Sequence, residues 1–478
     1  MESNGVVQVL FEEEKTLVRL KIKEPDTEKE KYWPQITTIL IANLAGLTEG
    51  LHFSWPSPFI VKITQDKENY DISEEQASYF NTITPLAMAL CCPIFSKLAD
   101  RIGRKKTLLL ISVPHILAWI IKAFATSVYA FYVARFLTGA ANACSFSVLP
   151  IYMGEISHPS IRGTWGNALP ISMCLGELLI NIIGSYFGVQ VTSFICLPVC
   201  VLFIILFCYC PESPYFYVMK GRYEDAKKSL YYLKRKRNLD NEFAQLKFDV
   251  ERQLSESSNW SDVFKINSNR RALAAGLFLR FTQQTSGMGV FLVYTQYIFQ
   301  KSGGNISHET SSIVYFAISL VCYLIALFSI VKRFGRKSCY VVSLTLTTLV
   351  LYLMGTYFYL DSHNIVDLSS WKWIPIVSMI SHQVFLSFGI AVIPTLMLSE
   401  LFSASIKAKA MPILMAEFGI GNIIMNTIFY YLNAKVGFYA PFYFFAICCT
   451  IAMFIAIYVI PETKGKTLEE IQQLLKRK

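Results

Sequence analysis

Charged residues are scarce in this sequence. Asp, Glu, Lys and Arg make up only 16% of the 478 residues, whereas 53% of the residues are hydrophobic. An ordinary soluble domain carries about 25% charged residues, and the positive mean hydropathy points the same way. The composition therefore excludes an ordinary soluble protein and indicates one that crosses a membrane several times.

Recognisable catalytic and metal-binding patterns are also missing. The 12 cysteines lie in or beside apolar runs, as Cys91, Cys92, Cys448 and Cys449 do, and show no paired metal-ligand spacing. Cysteines of this kind are interpreted as small packing residues. Because no hydrolytic or redox constellation is visible, we expect a protein that is not an enzyme and that uses no cofactor or metal.

Apolar runs of about 20 residues recur along the chain, and a helix of that length crosses the ~30 Å hydrocarbon core of a bilayer. They predict an all-α membrane protein with twelve transmembrane helices, numbered here as spans 1 to 12. The predicted spans are residues 36–60, 77–99, 107–126, 128–153, 164–187, 191–210, 271–299, 309–331, 338–360, 372–402, 408–434 and 438–460.

Positive charge is distributed unevenly between the predicted loops. If both termini are cytoplasmic, 36 of the 44 Lys and Arg residues fall on the cytoplasmic side, which is the orientation that the positive-inside rule favours. The same bias explains the net charge of +10, so we expect the lipid bilayer, and no nucleic acid, as a partner. Asn305, in the sequence NIS of a predicted outer loop, is a candidate glycan site.

Three motifs occur twice. DRIGRKK at 100–106 recurs as KRFGRKS at 332–338, YMGEISHPSIRG at 152–163 as MLSELFSASIKA at 397–408, and PESP at 211–214 as PETK at 461–464. The ordered pairs, with offsets of 232 to 250 residues, predict two homologous halves of six helices. Halves related by an axis along the membrane normal imply a site near the midplane and transport by alternating access.

The repeat also predicts the domain boundaries. We expect an N-terminal tail at 1–35, a first half at 36–210, short cytoplasmic linker helices at 211–270, a second half at 271–460 and a C-terminal tail at 461–478. The amphipathic pattern of YEDAKKSLYYLKRKR favours helices in the linker. The linker serves either as a solvated connection or as a latch, and its sequence does not choose between these roles.

Ionisable residues occur inside several predicted spans. Each costs roughly 2.5–3.5 kcal/mol at the centre of a bilayer helix, so such residues tend to face a cavity and to have partners. They are Glu49 and His52 in span 1, Lys122 in span 3, Arg135 in span 4, Glu177 in span 5, Arg280 in span 7, His382 in span 10 and Glu417 in span 11. Glu49 and His52 are three residues apart and therefore share a helix face.

Several motifs together resemble a known family. They are RFLTG, PIYMGEIS and RG within 135–163, PESP followed by GRYEDAKKSL, QQTSG at 283–287 and PETKGKTLEEI at 461–471. Over residues 33–472 the sequence resembles the sugar porters of the major facilitator superfamily, and most nearly the insect facilitated trehalose transporters. The resemblance implies the major facilitator fold and a plasma-membrane transporter of a hexose or a trehalose-like sugar, either facilitative or proton-assisted.

The resemblance also implies a substrate site. Gln283 and Gln284 match the sugar-binding pair of the family, and such amides suit hydroxyls that both donate and accept hydrogen bonds. Tyr294 matches a tyrosine of the outer gate, Asn422 an amide of span 11, and Thr395 the position of a tryptophan in span 10. Other contacts are lost: glycines stand at the family's asparagine (Gly289) and tryptophan (Gly419), and Pro170 stands at its span-5 glutamine.

Charged residues of the repeated motifs match the inner gate of the family. They are Asp100, Arg101, Arg104, Glu155, Arg162, Arg336, Glu400 and Lys407. Carboxylates and guanidinium groups at these helix ends can pair across the two halves when the inside is closed and separate when it opens. Positive-inside anchoring is the alternative interpretation. Lys332 and Ser96 replace an acidic residue and a glycine of the family pattern, so a less symmetric gate is expected.

Three residues are candidates for proton coupling. His52 stands where proton-linked sugar symporters carry an aspartate, and Arg135 matches the arginine that partners that aspartate. Glu49 is expected to pair with Arg135 in place of the missing carboxylate. The alternative is a structural contact between spans 1 and 4 with no role in transport.

Two other functions stay open. A sugar site that lacks several contacts of the family is compatible with a paralogue that does not transport or that acts as a sensor. The positive charges of Arg280 and Lys122 are compatible with a porter of an anionic solute.

Overall fold

The computed structural model describes residues 31–478 apart from 159, 162–164, 166–167, 237–238, 256–259, 304–305, 327–333, 403, 465, 467–469, 472 and 474–478. Every regular element in this part of the chain is a helix. Three predicted residues, Arg162, Asn305 and Lys332, lie outside the described residues.

The first half contains spans 1 to 6, three of which consist of two helices. Their bounds are Trp33–Phe53 with Pro56–Gln65, Glu74–Ser78 with Phe80–Ile102, Arg104–Leu110 with Ser112–Phe124, Val128–Ile156, Ala168–Tyr186 and Val189–Cys208. Prolines at Pro56 and Pro58 begin the second helix of span 1, where their missing N–H groups cost nothing.

The linker and the second half follow. The linker contains four short helices, Pro214–Met219, Tyr223–Lys234, Asp240–Ser255 and Trp260–Lys265. Spans 7 to 12 are Asn267–Thr285 with Met288–Ser302, His308–Ile325, Arg336–Ser362, Ile374–Phe388 (preceded by a 3₁₀ turn, Ser369–Trp371) with Ile393–Leu401, Ala404–Lys435 and Ala440–Val459.

The all-α membrane fold is confirmed. Within the described residues, eleven helices or joined helix pairs are long and apolar enough to cross a membrane, and they correspond to every predicted span except span 7. Span 7 is helical over the predicted residues, but it begins with the polar sequence NSNRR and carries Arg280. It also breaks at Gly287, whose φ of +81° is a left-handed conformation that glycine adopts without strain.

The two halves repeat the same packing. In the first half, span 1 packs on spans 5 and 6, span 2 on span 4, and span 3 on spans 4 and 6. In the second half, span 7 packs on spans 11 and 12, span 8 on span 10, and span 9 on spans 10 and 12. Each pair therefore has a counterpart six spans later, as expected for two homologous six-helix halves.

Contacts between the halves close one end of the bundle. Span 2 packs on span 11, span 5 on span 8, and the second helix of span 1 on the second helix of span 7. At this end Asn181 Oδ1 accepts hydrogen bonds from Ser57 (2.8 Å) and Ser312 (3.0 Å), and Gln296 donates to Ser185 Oγ over 3.1 Å. The opposite end carries the repeated GRK motifs and is called the motif end below.

Candidate substrate site and gate

Gln283 and Gln284 lie at the end of the first helix of span 7, directly before the break. The amide of Gln283 is bound at both ends inside the second half: its Oε1 accepts from Arg280 Nη1 over 2.9 Å, and its Nε2 donates to the Ala391 carbonyl over 3.3 Å. Gln283 therefore holds the broken helices of spans 7 and 10 together. This engagement makes Gln284 the better candidate to meet a ligand.

Gln284 faces Asn422 across spans 7 and 11. Asn422 Nδ2 donates to Gln284 Oε1 over 3.4 Å, and Asn422 Oδ1 accepts from Asn426 Nδ2 over 2.7 Å. A Cβ atom added at Gly289 would lie 2.4 Å from Asn422 Nδ2, so a side chain at this position would displace the Asn422 amide. The glycine that replaces the family's asparagine thus makes room for the Asn422 amide.

The other two predicted substrate contacts differ in position. Tyr294 is buried and packs against Phe429, with a ring-centroid distance of 4.8 Å. Thr395, in contrast, is exposed on the second helix of span 10. The structure thus brings Gln284, Asn422 and Tyr294 onto the facing spans 7 and 11 and leaves Thr395 outside this group.

His382 supports the break in span 7. Its side chain is fully buried, and Nε2 lies 3.0 Å from the carbonyl oxygen of Ser286, one residue before Gly287. A carbonyl at a broken helix end lacks its usual helical donor, and the imidazole N–H supplies one. We therefore interpret this ionisable residue of span 10 as a structural cap of the break.

Two charged residues flank the glutamines, and the predicted substrate site does not include them. Arg280 is 7% exposed, and its guanidinium carbon lies 5.3 Å from the centroid of the Phe418 ring. Both carboxylate oxygens of Glu417 are buried without a hydrogen-bond partner. A Cβ at Gly421 would lie 3.0 Å from Gln284 Cγ and 3.7 Å from Glu417 Oε1. The sequence signal that could have assigned Arg280 and Glu417 to the substrate site was their occurrence as charged residues inside apolar spans.

His52 and Arg135 belong to a buried cluster in the first half. Lys122 Nζ lies 2.9 Å from His52 Nδ1, and it also lies 4.6 Å from the ring centroids of both Trp55 and Trp119. Arg135 donates through Nη1 to the His52 carbonyl (2.7 Å) and through Nε to the Phe80 carbonyl (2.9 Å). The closest polar partner of the His52 ring is therefore Lys122, a residue that was not among the coupling candidates.

The expected pair between Glu49 and Arg135 is not formed. Glu49 is fully buried, and in the described part of the chain neither carboxylate oxygen lies within hydrogen-bond geometry of a partner. Arg135 instead satisfies its N–H groups with two backbone carbonyls. Because carbonyls of spans 1 and 2 accept from the Arg135 guanidinium, they take the place of the expected Glu49 carboxylate in this state.

At the motif end, Arg104 links three elements of the first half. Its Nη2 and Nε atoms contact the Glu155 carboxylate at 3.1 Å each, and its Nη1 lies 3.2 Å from Asp100 Oδ1. Arg101 is exposed. The backbone N–H of Lys105 donates to Glu212 Oε1 over 2.9 Å, so the PESP carboxylate caps the start of span 3.

The second half repeats this arrangement. Arg336 Nη2 lies 3.1 Å from Glu400 Oε1, and Glu462 of the PETK motif accepts from the backbone N–H groups of Arg336 (2.9 Å) and Lys337 (3.2 Å). Lys407 is partly buried. The ion pairs Arg104–Glu155 and Arg336–Glu400 each lie within one half and not across the two halves as expected, because spans 3 and 4, and spans 9 and 10, are packed neighbours.

The two capping carboxylates differ in their electrostatics. Burial raises the pKa of Glu212, and the backbone hydrogen bonds of Lys105 and Ser213 offset only part of that rise. Burial also raises the pKa of Glu462, but N–H donors from Lys464 and span 9 outweigh it, so this pKa lies below its usual value. The two capping carboxylates are thus alike in their contacts, and their pKa values shift in opposite directions.

Among the described residues, no group of three or more His, Cys, Asp or Glu side chains could hold a metal ion.

Comparisons with known proteins agree with this arrangement. The profile of the family "Sugar (and other) transporter" matches residues 38–475. "Facilitated trehalose transporter Tret1" of Polypedilum vanderplanki is 30% identical over 462 residues, which are 95% of this chain and 90% of that protein. Tret1 of Drosophila grimshawi is also 30% identical over 461 residues, but they are only 49% of its length. The chain thus spans about half the length of some curated relatives.

Solved structures show the same fold. The proton:xylose symporter XylE bound to 6-bromo-6-deoxy-D-glucose aligns with a TM-score of 0.72 at 20% identity and covers 92% of this chain and 99% of that one. The inward-open conformation of XylE from E. coli aligns with a TM-score of 0.74 at 18% identity, with the same coverage. Because the family profile matches residues 38–475, which is nearly the whole chain, the chain belongs to the sugar (and other) transporter family.

Proposed function

We propose that this protein moves a sugar or a similar polyol across the plasma membrane by alternating access of its two halves. The observation that carries the proposal is the pair of facing amides, Gln284 and Asn422, beside the break of span 7. Hydroxyl groups both donate and accept hydrogen bonds, and amides offer both partners. The names of the curated relatives, trehalose transporters, and the name of XylE, a xylose symporter, support the substrate class.

The proposed organisation follows the repeat. The halves 36–210 and 271–460 rock about the site, the linker 211–270 and the tails 1–35 and 461–478 face the cytoplasm, and the motif end is the cytoplasmic end. The ion pairs of Arg104 and Arg336 brace each half at the inner gate, with Asp100, Arg101, Arg162 and Lys407 supplying further charge. Asn305 carries a glycan on the outer side. These roles are consistent with the positive-inside bias.

Uptake in cells that lack their own sugar transporters tests the function. Wild-type protein, shown at the surface by biotinylation, should take up labelled glucose or trehalose faster than cells without it. Gln284→Ala should raise KM by about 10-fold, the effect of one or two hydrogen bonds to a ligand. A matched control is Gln300→Ala, which lies at the end of span 7 away from the break.

Three results would contradict parts of this proposal. A surface-exposed protein that moves no solute favours the sensor-type alternative. Uptake of an organic anion in place of sugars favours the anion porter. Sugar uptake that is identical at acidic and neutral outer pH, in the wild type and in Glu49→Gln, excludes proton assistance through Glu49.

A further inference from the structure

Glu417 has two acceptor oxygens and no donor. Both oxygens are buried, and neither has a hydrogen-bond partner among the residues that the structure describes. A buried carboxylate without partners is costly, by several kcal/mol in ordinary protein interiors. Such a group persists at a functional site when another molecule supplies the donors during the working cycle.

Arg280 is similarly incomplete. Nη1 donates to Gln283, but Nε is buried without an acceptor. The guanidinium is close enough to Glu417 to attract it, yet the two side chains form no direct hydrogen bond. The ion pair is therefore open: one charge on span 7 and one on span 11, with unused polar atoms on both.

This open pair lies where the two halves meet. Phe418, under the Arg280 guanidinium, packs in one cluster with Phe95 and Phe146 of the first half. Gln284 and Glu417 both lie against Gly421. The charged residues thus adjoin the amide pair of the proposed site and border the interface that alternating access opens and closes.

The chemistry of the pair selects a class of ligand. An anion would be repelled by Glu417 and a cation by Arg280, whereas the pair together is neutral. A carboxylate accepts two hydrogen bonds from neighbouring hydroxyls, and a guanidinium N–H donates to an oxygen. Neutral molecules with adjacent hydroxyl groups match this set best.

Two glycines show why the sugar needs other polar contacts than those of the family. At Gly419, which stands at the family's tryptophan, a Cβ would lie 3.2 Å from the Pro85 carbonyl oxygen and from Ala89 Cβ of span 2. A large aromatic side chain at 419 is therefore incompatible with the packing of spans 2 and 11. With Gly289 also lacking a side chain, the site has lost an aromatic face and one amide.

We propose that Glu417 binds the sugar directly, accepting hydrogen bonds from two adjacent hydroxyl groups, while Arg280 donates to a sugar oxygen and balances the carboxylate charge. This inference rests on the proposed function and adds two substrate-binding residues to it. It also assigns the substrate class as neutral and rich in vicinal hydroxyls.

The test combines protein variants with deoxy sugars. KM for uptake is measured for the wild type, Glu417→Gln and Arg280→Lys, with glucose and each of its monodeoxy analogues, or with trehalose and its deoxy analogues if trehalose is the better substrate. Glu417→Gln should raise KM for the parent sugar by about 10- to 100-fold, as expected for hydrogen bonds to a charged group. For each of the two analogues that lack one of the hydroxyls bound by Glu417, the same substitution should raise KM by a smaller factor than it does for the parent sugar, because only one hydrogen bond is left to lose.

Two controls separate binding from folding. Glu74→Gln, at an exposed position of the short helix Glu74–Ser78, should leave KM unchanged. The Tm of purified Glu417→Gln should be equal to or higher than that of the wild type, because an unpaired buried charge is removed. A lower Tm would indicate a structural role and overturn the inference.

The outcomes are distinguishable from failure of the proposed function. Wild-type sugar uptake with an unchanged KM in Glu417→Gln, or with an equal rise for all analogues, overturns the inference and leaves sugar transport in place. Preferential uptake of gluconate or glucosamine over glucose overturns the neutral substrate class. No sugar uptake by surface-exposed wild type overturns the proposed function, and the inference with it.

Discussion

At the residue scale, the buried cations of the first-half cluster, Lys122 and Arg135, are stabilised by carbonyls and aromatic rings, whereas the buried Arg104 is paired with carboxylates. Arg135 donates to two carbonyls, and Lys122 lies between two indole rings and an imidazole nitrogen. Cation–π contacts of this kind contribute about 0.5–2 kcal/mol each. The first-half cluster therefore joins spans 1, 3 and 4 without a carboxylate.

Lys122 should be important for stability. In Lys122→Ala the cation–π contacts and the hydrogen bond to His52 are lost and a cavity is left, so we expect a loss of about 2–4 kcal/mol. Thermal unfolding of purified protein in detergent should show a lower Tm. Lys372→Ala, at an exposed position, is the matched control. An unchanged Tm for Lys122→Ala would show that the cluster contributes nothing to folding.

The close approach of Asn422 to Gly289 predicts that the effects of Gly289→Ala and Asn422→Ala on the sugar KM are not additive. Gly289→Ala places a methyl group against the Asn422 amide, which must move away from Gln284, so sugar KM should rise. In the Asn422→Ala background the space is free, and Gly289→Ala should then have little further effect. Uptake kinetics of the two single variants and the double variant measure this coupling. Additive effects would mean that the contact does not matter for binding.

At the scale of elements, the motif end consists of one unit used twice. In each half a glycine begins the helix, a carboxylate from the PES or PET motif caps it, and a lysine side chain donates to a carbonyl of the sixth helix of that half, Cys208 or Ile457. A Cβ at Gly103 would lie 2.2 Å from Glu212 Oε2, and one at Gly335 would lie 2.4 Å from Glu462 Oε2. Both glycines thus admit their capping carboxylate.

The two glycines should nevertheless differ in sensitivity. Gly103 has a φ of +107°, which non-glycine residues rarely adopt, whereas Gly335 has an ordinary φ of −68°. Gly103→Ala adds backbone strain to the clash with the carboxylate, so it should lower Tm more than Gly335→Ala does. Both variants are compared by thermal unfolding and by uptake. Equal losses would show that the clash alone decides the effect.

The capping carboxylates should respond oppositely to pH. Glu462 has a lowered pKa in the folded protein, so its stabilising effect is present above the pKa of the unfolded chain, near 4.3, and is lost as pH falls through the folded value. Glu212 has a raised pKa, so its proton-linked effect is present at low pH and is lost as pH rises through the folded value. Glu462→Gln should therefore lower Tm at pH 7 and progressively less towards pH 4. Glu212→Gln should lower Tm less at pH 7 than Glu462→Gln does, and the opposite order would contradict this electrostatic asymmetry.

Hydropathy and repeated motifs were sufficient to predict the elements, but they did not predict the partners of single side chains. Eleven spans and the all-helical fold are confirmed, because a bilayer imposes a length and a composition that can be counted in the sequence. The pairing of Glu49 with Arg135 was wrong for the described state. Which groups meet inside a bundle depends on the rotation and depth of each helix, and these are not visible in the sequence. In the structure Arg135 donates to carbonyls of spans 1 and 2. For the same reason, the contact between Lys122 and His52 could not be predicted from the sequence.

At the scale of the whole molecule, the two halves meet through few polar contacts away from the motif end. The hydrogen bonds Ser312 to Asn181 and Gln296 to Ser185 cross from the second half to the first. Alternating access requires these contacts to break when that end opens, so their strength sets part of the balance between the two states. A net contribution of about 0.5–1.5 kcal/mol for each hydrogen bond is large enough to matter and small enough to be reversed by substrate.

Loss of one cross-half hydrogen bond should therefore shift the conformational equilibrium. Ser312→Ala removes only the cross-half bond to Asn181, and the ratio of open to closed protein at this end should rise by about 2- to 12-fold, which corresponds to that range of energy. Spin labels at the exposed positions 188 and 306, on the first and second half respectively, report the change as a larger population at long distance. Asn433→Ala removes an amide hydrogen bond to Tyr297 that lies within the second half, so it should leave the distance distribution unchanged. If both variants leave the distance distribution unchanged, the packing of span 2 on span 11 and of span 5 on span 8 holds this end closed. The polar contacts then contribute nothing to the balance between the two states.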